Sequence, residues 1–388
     1  MNASSYSAGS SVPLSPPITM SSVFQVSDLD AFERIARYEE RGYFYARDNH
    51  PNGELLEQQL AALHHTGWCL VTSSGMAAIS VALLGCLGAT RRIVASDQLY
   101  GRTNQLLSKH LGKFGITTEY MDITHPAKWE AALKTPVDAV IVETISNPMV
   151  RIADIPRLAS ATHAAGGKLI VDNTFSTPIG YRPTAVGADI VVESLTKLIS
   201  GHADVTLGAV LADDLNLKTT MAEVRSVWGF AGNPFESWLC TRSLPTLALR
   251  YQQSEQNAQQ LAEWLQQQPG IAKVHYPGLP THADYQLCQQ TLGGHAGYML
   301  CCELTTGRAG VDHFIRAGNV PFCPSLGDCT TTISYPWATS HRYESAESKH
   351  QQGITEGLLR ISVGIEPLSH IQDLFSRALS TCSVAKES

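Results

Sequence analysis

No apolar stretch in this 388-residue chain approaches the ~20 residues that a bilayer-spanning helix needs, so no helical membrane span is expected. The Ser- and Pro-rich start, residues 1–22, has neither a basic n-region nor an apolar h-region and does not read as a signal peptide. Basic excess is also missing. With a formal net charge of −7 and no Lys/Arg cluster, the chain has nothing to offset phosphate charge, which argues against nonspecific binding to nucleic acid or a membrane surface. The nine cysteines include no C-x-x-C pair, and no His/Cys cluster has zinc-ligand spacing. Reduced, buried thiols in a cytoplasmic protein without a structural metal are therefore expected. No internal repeat of 20–50 residues is present. No G-x-G-x-x-G follows the first strand pattern, which disfavours a Rossmann oxidoreductase.

A hydrophobic content of 44% against 16% charged residues is enough for a sizeable core, and the length allows a large domain with a smaller one. Strand and helix patterns alternate from residue 68 onward. Strands are predicted at 68–72, 92–95, 138–143, 168–171, 188–192 and 206–211. Helices are predicted at 76–87 with Gly88 as its stop, at 100–114 ended by Gly115, and at 155–165 ended by Gly166-Gly167. Strands apolar on both faces and spaced by helices indicate an α/β fold with a mainly parallel sheet covered on both sides.

The pattern changes near residue 245. Residues 234–268 read as a long helical stretch interrupted near Pro245. Strands at 298–304 and 359–364 then alternate with helices at 311–317 and 371–379, which fits a smaller α+β domain. Cys301 and Cys302, adjacent in one of these strands, should point to opposite faces. Residues 340–352, with His341 and His350, read as a polar surface loop or short helix. The predicted division is an arm over 1–48, a large domain over 49–245 and a small domain over 246–388.

Ligands of open parallel sheets sit at the carboxyl ends of the strands, and there the chain carries its chemistry. Ser73-Ser74-Gly75-Met76 follows the first strand at a helix start, where free N–H groups favour an anion such as phosphate, although a Ser cap with a glycine turn would look the same. Tyr100 follows the second strand and could stack on a flat ring or sit in the core. Asn147 offers an amide after 138–143. Asp172 ends the strand 168–171, where a buried carboxylate needs a partner; a pyridinium nitrogen suits it, and an Asx-turn is the alternative. Ser194-Leu195-Thr196-Lys197 comes next: two hydroxyls that could hold phosphate, and a lysine whose charged form is disfavoured if its surroundings are dry. Lys197 alone could equally be a solvated loop lysine.

Taken together, these motifs resemble the Cys/Met-metabolism (trans-sulfuration) pyridoxal-phosphate enzymes, a group that includes cystathionine γ-synthase, cystathionine γ-lyase, methionine γ-lyase and O-acetylhomoserine sulfhydrylase. The resemblance runs from about Pro13 to Leu379 and includes Pro16-Pro17-Ile18, Tyr45-x-Arg47, Ser73-Ser74-Gly75-Met76-Ala77-Ala78, Tyr100-Gly101, Glu143-Thr144-x-x-Asn147-Pro148, Asp172-Asn173-Thr174-Phe175, Ser194-x-Thr196-Lys197, Ser325-Leu326-Gly327 and Arg360-Ile361-Ser362-Val363-Gly364. It implies the type I (aspartate-aminotransferase-like) fold, with Lys197 carrying pyridoxal 5'-phosphate as a Schiff base and Asp172 on the ring nitrogen. Gly75, Met76, Ser194 and Thr196 would bind the phosphate, with Thr174 and the stacking Tyr100 completing the cofactor set. Tyr45 and Arg47 would reach the phosphate of a neighbouring subunit, in a homotetramer built from active dimers. Asn147, Ser325 and Arg360 would bind the α-carboxylate of an amino-acid substrate, and Tyr100 and Lys197 would be catalytic. The expected reaction is γ-elimination or γ-replacement on a sulfur-containing or activated homoserine-type amino acid. A cystathionine β-lyase, methionine γ-lyase or sulfhydrylase is the alternative.

The chain departs from the family pattern at four places: His50-Pro51-Asn52 for Asn-Pro-Thr, Arg242-Ser243 for Arg-Gly, Thr330 where γ-specific members often have Glu, and Arg102 after Tyr100-Gly101. Arg102 could be a solvated helix-start arginine, or it could reach over the substrate and favour a distal anionic group.

Overall fold

Strands that expose neither face must be covered by helices on both sides of their sheet, and the computed structural model has that layering. It describes residue 11, residues 13–37 and residues 39–382. The large sheet contains β1 (Trp68–Thr72), β2 (Arg92–Ser96), β3 (Thr117–Met121), β4 (Ala139–Glu143), β5 (Lys168–Asp172), β6 (Ile190–Glu193) and β7 (Gly208–Ala212). Their order is β1-β7-β6-β5-β4-β2-β3, and only β7 runs antiparallel to its neighbours. The second sheet is antiparallel, with β8 (Ile271–His275), β9 (Met299–Leu304), β10 (Thr332–Ser334) and β11 (Leu358–Ser362) in the order β10-β11-β9-β8.

Alternate residues of the parallel strands feed two different cores. Ile93, Ile141, Ile170 and Val192 pack with Ala78, Val81 and Ala82 of the helix Gly75–Cys86 and with Met221. Val94, Val140, Val142 and Val171 pack on the opposite side with Leu56, Leu60 and Leu158, in a core that continues to Leu300, Ile361, Phe314 and Phe375 around the second sheet. Cys301 and Cys302 are both buried in different clusters, as opposite faces require.

Local chemistry accounts for several boundaries. His50 stands where the family has an asparagine, and its Nδ1 accepts from the Gly53 N–H at 2.8 Å, so the ring caps the helix Pro51–His64. Nε2 then carries the hydrogen, bonding the Gly232 carbonyl at 3.1 Å. Asn52 bonds both the Thr19 N–H and the Pro17 carbonyl at 2.8 Å, fastening the arm. Pro245 interrupts the long helical stretch as expected, with a 3₁₀ turn Leu244–Thr246 between the helices Pro234–Ser243 and Leu247–Leu265.

Two expectations need correction. Residues 100–114 are not one α-helix: α geometry covers Gly101–Gln105, a π turn Leu106–His110 and a 3₁₀ turn Leu111–Phe114 follow, and Gly115 ends the run at φ 73°. Gly88 is not the helix stop. Leu87 leaves the helix in extended geometry, and the Gly88 N–H instead donates to Asp138, whose carboxylate also gathers the N–H groups of Thr90 and Arg91.

Candidate active site

Parallel strands align their carboxyl ends, so the loops that follow β1, β2, β4, β5 and β6 open on one side of the sheet. They line a cavity of about 380 Å³ that holds Gly75, Met76, Tyr100, Arg102, Asn147, Asp172, Thr174, Ser194, Thr196, Lys197 and Arg360 together. Ser325 reaches the same place by bonding Lys197. Of the cofactor and substrate residues expected from the sequence, Tyr45 and Arg47 stand apart. Both are exposed, and the Arg47 guanidinium lies 5.1 Å from the Tyr45 ring centre.

One end of the cavity is built for an anion. Ser74 caps the helix Gly75–Cys86 by accepting from the Ala77 N–H at 3.1 Å. The N–H groups of Gly75 and Met76 lie in the first turn, where a helix supplies no acceptor of its own. Glycine is required by close approach, since a Cβ at position 75 would sit 2.8 Å from Ser194 Cβ. The Ser194 hydroxyl is thus brought beside the helix start. Thr196 is partly committed already, its Oγ1 donating to the Leu207 carbonyl and accepting from the Leu207 N–H, each at 3.2 Å.

Asp172 ends β5, and its Oδ1 accepts from the Thr174 N–H at 3.0 Å and hydroxyl at 2.6 Å. Burial raises its pKa, opposed by those two bonds and by Lys197. Oδ2 takes no bond among the described residues, so a cationic N–H in the cavity would meet an uncommitted oxygen. Behind β5, on the opposite sheet face, Asn173 accepts from Thr144 Oγ1 at 2.8 Å and donates to Glu193 at 3.1 Å.

Lys197 follows β6, and its Nζ bonds Ser325 Oγ at 3.1 Å. Burial, and secondarily the Arg360 cation, hold its pKa down at about 8. Gly327, at φ 80°, lets the Ser325-Leu326-Gly327 loop close on this lysine; a Cβ there would lie 3.0 Å from Lys197 Cβ. Arg360, on β11 and only 3% exposed, donates to Asn147 Oδ1 at 2.8 Å. The Asn147 NH₂ group is then the end left as a donor.

Several positioning groups went unrecognised in the sequence. The Glu143 carboxylate accepts from the Tyr100 N–H at 2.5 Å and the Asn147 N–H at 3.0 Å, tying two cavity loops together. Burial raises its pKa well above the usual range, with Asp172 adding to the effect. Arg250 clamps the chain just beyond Lys197, donating to the Leu198 carbonyl, to Ile199 O at 3.0 Å and to Ser243 O at 2.9 Å. A carboxylate ending an apolar strand signalled Glu143, whereas nothing in its Gln-rich surroundings signalled Arg250. The segment 340–352 contains a short helix, Ala346–Gln351, as one of the two expected readings had it, but it is not simply surface, because Ser340, Arg342 and Tyr343 form part of the cavity wall. His341 is buried, and its pKa is pushed down to about 4 by burial and by the neighbouring Arg360 and Lys349 cations. Thr330 is exposed and does not line the cavity.

Against known proteins, the sequence model of the Cys/Met metabolism PLP-dependent enzymes matches residues 3–380. The chain belongs to this family. An O-succinylhomoserine sulfhydrylase of Pseudomonas aeruginosa is 35% identical, covering 93% of this chain and 89% of that one. An L-methionine gamma-lyase of Porphyromonas gingivalis is also 35% identical, covering 92% of this chain and 90% of that one. Among solved structures, cystathionine gamma synthase from Xanthomonas oryzae pv. oryzae, in complex with aminoacrylate and cysteine, superposes with a TM-score of 0.90 at 33% identity, covering 96% and 94% of the two chains. The family's cofactor is pyridoxal 5'-phosphate, and the donor set fits it: free helix-start N–H groups with Ser194 for a phosphate, the uncommitted Asp172 oxygen for a ring nitrogen, and the Lys197 amine for an aldehyde. Like its relatives, the protein is a PLP-dependent enzyme acting on C–S bonds.

Proposed function

We propose that this enzyme catalyses γ-elimination or γ-replacement on a sulfur-containing or acyl-activated homoserine-type amino acid. The observation that carries the reading is the Lys197 amine, held near Ser325 with a pKa of about 8 in the same cavity as Asp172 and the buried Arg360. The γ-acting relatives named above support the position of the bond that breaks.

Each residue has a separable task. Arg360 and the donor end of Asn147 hold the substrate α-carboxylate, a role suited to a planar guanidinium. The Gly75 and Met76 N–H groups and the Ser194 and Thr196 hydroxyls hold the cofactor phosphate; Thr196 does so by turning its hydroxyl from Leu207. Thr174 fixes the orientation of the Asp172 carboxylate, which would hold the ring nitrogen. Bound there, pyridoxal phosphate supplies the electron sink for charge left at Cα. The Lys197 amine takes the Cα proton. Once that proton has been handed on to the bound cofactor, Lys197 takes a second one from Cβ, and the γ-substituent departs with a proton from the Tyr100 phenol, which is 39% exposed. A nucleophile then adds, or hydrolysis releases a keto acid and ammonia.

Two wider readings accompany this one. The exposed Tyr45 and Arg47, with Leu14, Met20 and Val23 of the arm also exposed, suit a site completed by a second subunit, and we propose at least a dimer within a homotetramer. The eight cysteines whose side chains are described, all free, suit the cytoplasm. The deciding test is product analysis with L-cystathionine: 2-oxobutanoate with cysteine is expected, whereas pyruvate with homocysteine would mean β-cleavage and sink the proposal.

A further inference from the structure

The cavity has two cationic ends, and only the inner one, Arg360, has a task in the proposed chemistry. At its mouth, Arg102 and Arg342 both line the wall. Their guanidinium carbons lie 5.2 Å and 4.6 Å from the ring centre of Tyr343, and Lys109 Nζ lies 5.8 Å from the same ring. Three cations thus surround one aromatic side chain. The two arginines donate to neutral acceptors, Arg102 to Gln105 Oε1 at 2.7 Å and Arg342 to the Tyr343 hydroxyl at 2.9 Å.

No carboxylate pairs with any of the three among the described residues. Elsewhere in this chain of net charge −7, Arg34, Arg37, Arg41, Arg92, Arg151, Arg157, Arg225 and Arg316 have carboxylate partners, while Arg47, Arg91, Arg182, Arg242, Arg250, Arg308 and Arg360 pair with none among the described residues; what sets the mouth apart is that three such cations share one ring. The nearest acid in sequence, Glu344, accepts instead from Ser348 and Gln352. The wall is also held in register. Gly101, beside Arg102, packs so closely on the Ser340 carbonyl that no side chain fits. A face of a π ring attracts cations but leaves their mutual repulsion unanswered; an anion between them would answer it.

We infer that the mouth is a subsite for a second, anionic group on the substrate tail, held by Arg102 and Arg342 with Lys109 adding to the field. The inference rests on an amino-acid substrate anchored at Arg360, as proposed above. It narrows the substrate class to amino acids with a distal acid, such as cystathionine or a dicarboxylic-acid ester of homoserine, over methionine or the acetyl ester.

The test uses ligands without a leaving group, so that it does not depend on where the enzyme cleaves. Binding of L-2-aminopimelate and L-norleucine to the holoenzyme is followed by the change in cofactor absorbance. The diacid should bind on the order of 10- to 100-fold more tightly in the wild type. In Arg102→Gln/Arg342→Gln the preference should collapse to within about 3-fold, and each single Gln variant should lose part of it. Arg342→Lys, which keeps the charge, should retain more of the preference than Arg342→Gln. A wild type without the preference, or a double variant that keeps it, overturns the subsite. Pyruvate formation from cystathionine alongside an intact diacid preference would overturn the proposed reaction and leave the subsite standing.

Discussion

Replacing Arg360 with Gln should raise the pH at which Lys197 becomes nucleophilic in cofactor-free protein. Burial is the larger cause of the depressed pKa, which stands at about 8 against the ordinary 10.5, and Arg360 is the second. At pH 7 an amine of pKa 8 is about one-tenth neutral, whereas an ordinary lysine is neutral in about one molecule in three thousand. The site therefore offers about 300-fold more reactive amine at neutral pH. Trace acetic anhydride applied to apoprotein across a pH series, with mass spectrometry of the peptide bearing Lys197, reads this fraction directly. The wild-type midpoint should fall near 8. In Arg360→Gln it should rise but stay below 10.5, because burial remains. The sign carries over to stability. Between those two pH values the unfolded chain holds a proton at this lysine that the folded chain has lost, so this group's contribution rises with pH across the window. A wild-type midpoint near 10.5, or equal midpoints in the two proteins, would refute the electrostatic account of the site.

Other perturbations follow from the same geometry. Lys197→Ala should abolish turnover while circular dichroism and thermal unfolding stay native-like, because the proposed phosphate contacts come from groups other than the lysine side chain. Gly75→Ala should weaken cofactor retention by about 10-fold or more, measured by absorbance after dialysis, since the new methyl would meet Ser194 Cβ at 2.8 Å. Glu57→Gln should lower unfolding free energy by about 3–5 kcal/mol in urea titration, because it strips the carboxylate that bonds Arg225 at 2.6 Å in a buried pair. Mixed under subunit exchange, Arg47→Ala and Lys197→Ala proteins should regain activity that neither shows alone; no recovery despite proven exchange would mean that one chain builds the whole site.

The parallel strands and the groups at their ends were legible because two constraints coincide there. A strand buried on both faces reads as a short apolar run, and β1, β2, β4 and β5 are such runs. Functional side chains then follow at fixed distances along the chain, as Asp172 and Lys197 do. Where either constraint fails, the reading failed. β3 reads Thr-Thr-Glu-Tyr-Met and lies at the sheet edge with no fully buried residue, so it carries no apolar signature. The run after Tyr100 has helical composition throughout, yet its hydrogen bonding shifts from α to π to 3₁₀, and composition does not distinguish these.

The wall of the cavity fails the same test for a different reason. Residues 340–352 are polar, and polarity in sequence is what a solvated loop also shows. What turns part of the segment inward is contact with residues far away in the chain: Ser340 against Gly101, and Arg342 beside a ring shared with Arg102 and Lys109. His341 is the sharpest case, a polar side chain 1% exposed whose burial no local pattern announces. The strand-end groups are the ones proposed to bind what every member of the family shares, and their place is set by the sheet. The mouth is set by side chains packing across the fold, so this chain can gather Arg102, Arg342 and Lys109 there without disturbing the cofactor set. On the proposed subsite, selectivity for the substrate tail would change while Lys197, Asp172 and Arg360 stay fixed, and the motifs would identify the family yet leave the substrate to the wall.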